Sequence, residues 1–208
     1  MIQFENVSKK FGEKQIFENL SFTINKGTMV GIVGPSGCGK TTILNLIGGL
    51  EKQDSGVIVV NDIQNPNKKA AVRNYLFKHE LAYLFQNYAL VENESIEYNL
   101  SIALHFVKSK DKMSLMKNAL MKVNIDIDIS TPIFVLSGGE QQRVALARLF
   151  LKPSSIILAD EPTGNLDKNN GIDVMNILKS FTNEGKTIVV VTHNEEYLDY
   201  FDQVIMLQ

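Results

Sequence analysis

The fold is decided by one short stretch of the chain, Gly34-Pro35-Ser36-Gly37-Cys38-Gly39-Lys40-Thr41. It follows the continuous apolar run Met29–Val33 and opens the segment Thr41–Leu50, in which apolar residues recur at the three- and four-residue spacing of a helix. A buried strand, a glycine-rich turn and a helix start in this order match the phosphate-binding P-loop pattern. We therefore predict that backbone N–H groups of this turn converge on phosphate oxygens, aided by the helix dipole.

The side chains of this stretch predict how a nucleotide is held. Lys40 is long enough to reach the β- and γ-phosphates, and the Thr41 hydroxyl is a ligand that suits Mg²⁺. Thr42, the next residue on the helix, could contact the α-phosphate. Cys38 occupies a position in the loop that needs a small residue.

Other apolar runs and helical patterns indicate the architecture around this loop. Short continuous apolar runs are typical of strands buried on both faces of a parallel sheet, and they recur at Leu81–Phe85, Ile156–Asp160 and Thr187–Thr192. Helical spacing recurs at Glu140–Leu151 and Gly171–Phe181. These patterns predict an α/β fold, the P-loop NTPase with a RecA-like parallel core sheet.

Two further regions differ from this core. The first 25 residues alternate apolar and polar positions around a turn near Gly12, and Val57–Val60 forms a third short run, which predicts an N-terminal antiparallel β subdomain. Residues 88–136 contain no buried strand pattern but carry an amphipathic helical stripe, so we predict a helical insertion there. No linker composition divides residues 1–208, and we expect one domain.

Composition excludes several classes of function. The chain has 208 residues, 44% of them apolar, and a net charge of −2, so it lacks the basic field that binds a nucleic acid backbone, and we expect no nucleic acid partner. Its single cysteine suits a reducing compartment. The apolar runs are too short to span a membrane, and the start of the chain lacks the apolar core of a signal peptide. We therefore expect a cytoplasmic protein.

Acidic and imidazole side chains follow two of the predicted core strands. Asp160 ends the run Ile156–Asp160 and Glu161 follows it, at the sheet edge where the P-loop also emerges. Asp160 can hold Mg²⁺ through a water, and Glu161 is placed to accept a proton from an attacking water. His193 follows Thr187–Thr192, and it could donate a hydrogen bond to the γ-phosphate or be an ordinary histidine at a strand end.

A second predicted anion site lies at Ser137, Gly138 and Gly139, which open a helix and are followed by Glu140 in the spacing of a capping box. One ATP needs one phosphate cradle. The second site is explained if it serves an ATP that is bound to another subunit.

With these motifs in this order, the chain resembles the ATPase subunits of ABC transporters over nearly its whole length. The octet from Leu136 to Arg143 is the specific part of the match. The resemblance implies an adenine-stacking aromatic at Phe11, a glutamine at Gln86 that acts at the catalytic site and on the metal, an aspartate loop at Asn165-Leu166-Asp167 with Asp167 at the nucleotide, and a switch histidine at His193.

The resemblance also implies the cofactors and partners. ATP and Mg²⁺ would be sandwiched between the P-loop of one chain and the Ser137–Gly139 segment of a second copy or a paralogous ATPase. An integral membrane permease would be the other partner. It would hold the protein as a peripheral component on the inner face of the cell membrane.

A narrower resemblance concerns the cargo. The stretch from Asp160 to Asp167, DEPTGNLD, is similar to the class of macrolide, lipoprotein and antimicrobial-peptide exporters, including bacteriocin exporters, whereas many importers have Ser-Ala in place of Gly-Asn. Export of a peptide or other antimicrobial is therefore expected. An importer ATPase, a non-transport relative acting on DNA or the ribosome, and a P-loop kinase or GTPase are alternatives, although the last leaves the Leu136–Arg143 octet unexplained.

Overall fold

The computed structural model describes residues 1–164 and 166–207. The strands are β1 (Ile2–Phe11), β2 (Lys14–Ile24), β3 (Met29–Val33), β4 (Ser55–Val60), β5 (Ile63–Gln64), β6 (Leu81–Leu84), β7 (Ile156–Asp160), β8 (Thr187–Thr192) and β9 (Gln203–Met206). The α-helices are α1 (Lys40–Ile47), α2 (Ala70–His79), α3 (Ile96–Ala103), α4 (Lys112–Lys122), α5 (Gly138–Leu151) and α6 (Lys168–Ser180). Short 3₁₀ helices lie at Ile133–Val135, Phe181–Glu184 and Glu195–Tyr200.

The central sheet is parallel, as the continuous apolar runs predict. Its strand order is β6-β7-β8-β3-β9, and every neighbouring pair is parallel. All residues of β3, β7 and β8 are buried, which is why these strands read as apolar runs without alternation. The carboxyl ends of β3, β7 and β8 therefore lie side by side at one edge.

A second sheet is antiparallel and has the order β2-β1-β4-β5. The turn between β1 and β2 contains Gly12 in a left-handed conformation, with φ of 56°. The inward residues Ile2, Phe4 and Val7 of β1 are buried. They pack with α1 and with one face of the central sheet in a single apolar cluster.

The opposite face of the central sheet is covered by α3, α4, α5 and α6. Helices α3 and α4 come from the stretch between β6 and α5, where the sequence predicts a helical insertion, and both pack on α5. This arrangement confirms the predicted P-loop NTPase fold. No helix in the described residues has the length and apolarity that crossing a membrane requires.

Some boundaries and elements differ from the sequence-based prediction. Helix α1 starts at Lys40 and ends at Ile47 rather than at Leu50, because Gly48 and the left-handed Gly49, with φ of 68°, terminate it. The predictions for β6 and α6 were also displaced by one to three residues at their ends. Helix α2 was not predicted, because it buries only Leu76 and therefore has a weak apolar periodicity.

Candidate functional site

The glycine-rich loop between β3 and α1 has a conformation that depends on its glycines. Gly37 and Gly39 have φ of 82° and 100°, in the region where other residues are strained. A Cβ atom on Gly39 would overlap the side chain of Ile16 from β2. Because Gly39 is the N-cap of α1, this backbone brings the first N–H groups of the helix to the loop.

Lys40 lies across the loop. Its Nζ donates hydrogen bonds to the carbonyl oxygens of Gly34 and Pro35, at 2.9 and 3.0 Å, and lies 3.6 Å from Oε1 of Glu161. The residue is buried, so its charge is satisfied by these partners and not by water. An anion in the loop would offer Lys40 a stronger partner than neutral carbonyls do.

Thr41 and Asp160 form a pair of oxygen ligands beside the loop. The Thr41 hydroxyl donates to Oδ1 of Asp160 at 3.0 Å. Burial raises the pKa of the Asp160 carboxyl, and the hydrogen bond from Thr41 acts in the opposite direction. A hydroxyl and a carboxylate are the hard oxygen donors that Mg²⁺ prefers, so the residues present fit this ion.

Glu161 is held from several sides at the end of β7. Its backbone has φ of 45°, an uncommon conformation for a residue other than glycine, and its N–H donates to Val191 O of β8 at 3.0 Å. Its Oε2 lies 3.0 Å from Nδ1 of His193 and accepts from the His193 N–H at 3.3 Å. The carboxylate therefore lies between the ammonium of Lys40 and the ring of His193.

One open cavity of about 710 Å³ is lined by Lys40, Thr41, Glu161 and His193. The predicted residues that line it come from the loop, from the ends of β6, β7 and β8, and from the start of α1: Pro35, Ser36, Gly37, Gly39, Lys40, Thr41, Thr42, Gln86, Glu161 and His193. Gly164 and Ile16 also contribute. The sequence carried no signal for Ile16, since it reads as one more apolar residue of an alternating strand.

Four predicted residues of the first chain segments and of β7 are not in the lining that the described residues form: Phe11, Gly34, Cys38 and Asp160. Gly34 and Asp160 are bound by Lys40 and Thr41, which do line the cavity. Among the described residues, the cavity lining does not include Phe11, which ends β1 and is 48% exposed with Nζ of Lys9 over its ring at 4.4 Å. Cys38 is half-buried and packs with the apolar cluster under the loop, on the side of Gly34.

Ser137 begins α5 with the predicted capping box. Its Oγ accepts from the Glu140 N–H at 3.3 Å, and Oε2 of Glu140 accepts from the Ser137 N–H at 2.8 Å. Ser137 and Gly138 are exposed, and a Cβ on Gly138 or Gly139 would meet nothing within 4 Å. Within the part of the chain that the structure describes, none of the three lines the cavity of Lys40.

Asp167 also caps a helix. Its Oδ1 accepts from the Asn170 N–H at 3.0 Å at the start of α6, and its Oδ2 accepts from Nδ2 of Asn170 at 2.6 Å. These bonds lower the pKa of the exposed Asp167 carboxyl. Asn165, which precedes it in the predicted aspartate loop, lies outside the described residues.

A glycine-rich anion cradle, a lysine in it, a hydroxyl–carboxylate pair and an adjacent glutamate define a P-loop NTPase site. The second helix start, at Ser137, restricts the choice among P-loop NTPases to those that carry this additional anion site. The family model described as ABC transporter matches residues 17–164, and the chain belongs to this family as one of its ATP-binding domains.

Several curated relatives align with the whole chain or nearly all of it. The macrolide export ATP-binding/permease protein MacB of Campylobacter jejuni is 36% identical over 214 residues, which are 100% of this chain and 33% of that protein. The chain thus spans about a third of the length of the MacB relatives. The phosphonates import ATP-binding protein PhnC of Fusobacterium nucleatum is 35% identical over 99% of this chain and 87% of its own. The lipoprotein-releasing system ATP-binding protein LolD of Ehrlichia chaffeensis is 36% identical over 91% of this chain and 83% of its own.

Solved structures agree with this assignment. A dimeric structure of a post-hydrolysis state of the ATP-binding cassette MJ0796, bound to ADP and Pi, is 30% identical. It superimposes with a TM-score of 0.90 and covers 100% of this chain and 94% of its own. The fold, the recognition of the family and the ATPase class predicted from the sequence are confirmed.

Replacing Lys40 tests the cradle. In Lys40→Ala the loop loses its cation, and we expect the affinity for ATP to fall by at least tenfold, since a charge-assisted bond to phosphate is worth about 1.5–3 kcal/mol. Calorimetric titration with ATP measures the change. Lys10→Ala, at an exposed lysine of β1, is the matched control. Unchanged ATP affinity in Lys40→Ala would contradict the cradle assignment.

Proposed function

We propose that two copies of this domain, or this domain and a paralogue, hydrolyse ATP between them and thereby power a membrane permease. The observation that carries the proposal is the position of Ser137. Among the described residues, the start of α5 is exposed, has open space beside Gly138 and Gly139, and is not part of the lining of its own cradle. A two-fold axis would bring this segment of each copy to the cradle of the other.

The chain's own groups suit the chemistry of this reaction. Lys40 would exchange the carbonyls of Gly34 and Pro35 for phosphate oxygens. When bound, Mg²⁺ would supply charge neutralisation on the phosphates, and Thr41, Asp160 and Gln86 would hold it directly or through water. Glu161 would accept a proton from the water whose oxygen attacks the γ-phosphorus, while the bond to the β-phosphate oxygen breaks and ADP leaves.

The contacts of Glu161 support this role. His193 binds the same carboxylate oxygen through its ring and its backbone N–H, so it would orient Glu161 for proton transfer. Lys40 would leave Glu161 when it turns to a phosphate, and the carboxylate would then be able to contact the attacking water. Asp167 would act at the interface between the chains, and Phe11 would stack on the adenine after moving toward the cradle.

The proposed cargo is a peptide or another antimicrobial compound that is exported. The relatives named for macrolide export and lipoprotein release support export, as does the sequence DEPTGNLD from Asp160 to Asp167. The relative named for phosphonate import makes an importer the second candidate. Neither candidate requires a nucleic acid partner.

An apolar groove of about 610 Å³ lies beside the cavity and would receive the permease. Phe77, Phe85, Ile102 and Phe106 are among its apolar lining residues, and Lys78, Arg148 and Lys152 supply positive charge. None of the described residues that line it is acidic. Burial lowers the pKa of Arg148 to about 10 and also lowers that of Lys152. These features suit an apolar cytoplasmic segment that carries a carboxylate.

The segment between β6 and α3 joins this groove to the cavity. Phe85 and Ala89 line the groove, whereas Gln86 lines the cavity. A change at the phosphate that moves Gln86 would therefore move its neighbours in the docking groove. Docking there would hold this domain as a peripheral component on the inner face of the membrane.

Glu161→Gln tests the proposed general base. The amide keeps the size of the side chain but cannot accept the proton, so we expect turnover to fall by about 10²–10⁴-fold while ATP affinity is retained. Steady-state phosphate release and ATP titration measure the two quantities. Turnover at the wild-type rate would show that Glu161 is not the base.

Ser137→Arg tests the shared site. The arginine side chain is larger than serine and positively charged. At the exposed helix start it should leave ATP binding by the single chain unchanged but prevent ATP-dependent dimerisation. Analytical ultracentrifugation of the Glu161→Gln and Glu161→Gln/Ser137→Arg proteins with ATP measures the dimer. Ser130→Arg, another exposed serine, is the control. An undiminished dimer in the Ser137 variant would argue against this interface.

Ile102→Glu tests the docking groove. Ile102 is 48% exposed, so the substitution should not disturb folding, but it places a carboxylate where an apolar, acidic segment is expected. We expect cosedimentation with membrane vesicles from the native cells to decrease about tenfold, an effect typical of a central interface position. Met121→Glu on α4, where Met121 is 64% exposed, is the control. Equal cosedimentation of both variants would count against the groove.

A further inference from the structure

Gln142 joins the start of α5 to the turn that carries Glu161. It lies little more than one helical turn after Ser137 and is 1% exposed. Its Nε2 donates a hydrogen bond to the carbonyl oxygen of Pro162, the residue directly after Glu161. The side chain thus connects the helix start that faces a partner with the backbone of its own catalytic turn.

The turn at Glu161 is held between two elements. On one side the Glu161 N–H donates to Val191 O of β8 at 3.0 Å, and on the other side Gln142 binds Pro162. The uncommon φ of 45° at Glu161 requires such support, because an unsupported residue would relax to a more populated conformation. A shift of α5 relative to β8 would therefore change the direction in which the Glu161 carboxylate points.

A second connection follows the same route. Arg143, next to Gln142, donates from Nη2 to Oδ1 of Asn170 at 3.1 Å, and Asn170 holds both carboxylate oxygens of Asp167. The first turns of α5 are therefore linked to both ends of the segment from Glu161 to Asp167.

The cost of burying Gln142 indicates that it is not retained for stability. Among the described residues, nothing donates a hydrogen bond to its Oε1, although this atom is buried. A buried polar atom without a partner is unfavourable, and an apolar side chain of the same size would avoid that cost. A glutamine here is explained if its amide has a task that an apolar residue cannot perform.

We propose that Gln142 is a positioning residue that couples the two ATP sites of the dimer. This inference rests on the proposed function, in which Ser137 of one chain contacts the ATP held by the other. When ATP draws Ser137 toward the partner, α5 moves, and Gln142 carries this movement through Pro162 to Glu161 of its own cradle. The occupancy of one ATP site thereby determines the position of the general base, Glu161, in the other site.

Gln142→Met is the decisive substitution, since methionine has a similar length and volume but donates no hydrogen bond. We expect kcat to fall about tenfold, because the Gln142–Pro162 bond is lost and the Arg143–Asn170 bond remains. The KM for ATP should be unchanged, and the Hill coefficient for ATP should fall toward 1. The melting temperature should change little, because the unpartnered Oε1 is removed but the Pro162 carbonyl loses its donor. A structural role alone would lower the melting temperature and leave the Hill coefficient unchanged.

Gln53→Met is a matched control. Gln53 is also a buried glutamine, 8% exposed, whose Oε1 has no partner in the described residues and whose Nε2 donates to Oδ1 of Asn65. It lies outside the cavity lining, next to β4. We expect its kcat and Hill coefficient to equal those of the wild type. A second variant, Gln142→Leu, also removes the donor and should show the same loss of kcat and of cooperativity if the methionine does not fold.

The outcomes separate this inference from the proposed function. If the wild-type protein hydrolyses ATP cooperatively and Gln142→Met or Gln142→Leu does so with the same kcat and Hill coefficient, the coupling role of Gln142 is wrong and the proposed function stands. If the wild-type protein neither dimerises with ATP nor hydrolyses it, both fail. A tenfold lower kcat with a reduced Hill coefficient, absent in Gln53→Met, supports the coupling.

Discussion

The parallel pairing of β3, β7 and β8 is the constraint on which the site depends. Parallel strands end at one edge, and there the loop of Lys40, the Asp160–Glu161 pair and His193 meet. These strands consist of apolar residues because they are buried on both faces. Their burial also limits the contact of water with the polar groups at their ends. These polar groups are therefore satisfied by protein neighbours: Nζ of Lys40 lies 3.6 Å from Oε1 of Glu161, and the Thr41 hydroxyl donates to Asp160 at 3.0 Å.

The polar contacts at the cradle share one property: each engages a side-chain group that would contact the nucleotide, its metal ion or the attacking water. Lys40 binds backbone carbonyls, Thr41 binds Asp160, and Glu161 is shared by Lys40 and His193. A triphosphate would exchange these contacts for stronger ones instead of ordering a flexible site. At the exposed start of α5, a Cβ on Gly138 or Gly139 would meet none of the described residues within 4 Å, which suits a surface completed by another chain.

Sequence reasoning predicted the parts of the structure that follow from local pattern. The loop from Gly34 to Thr41, the buried strands and the capping box at Ser137 each have their own signature within a few residues. Helix α2 and Ile16 gave no signal, because α2 lies on the surface with one buried residue and Ile16 matters only through the packing of β2 on Gly39. The burial of Gln142 and its contact with Pro162 were also not predicted, since the burial of a glutamine depends on tertiary contacts.

A complementation experiment tests the central claim, that each ATP is held by two chains, most directly. Lys40→Ala removes the cradle and Ser137→Arg removes the opposing helix start, so each variant alone should be nearly inactive. A mixed dimer contains one site built from the intact cradle of one variant and the intact Ser137 of the other. The account predicts that mixing the two inactive proteins restores phosphate release, and a mixture as inactive as its components would contradict it.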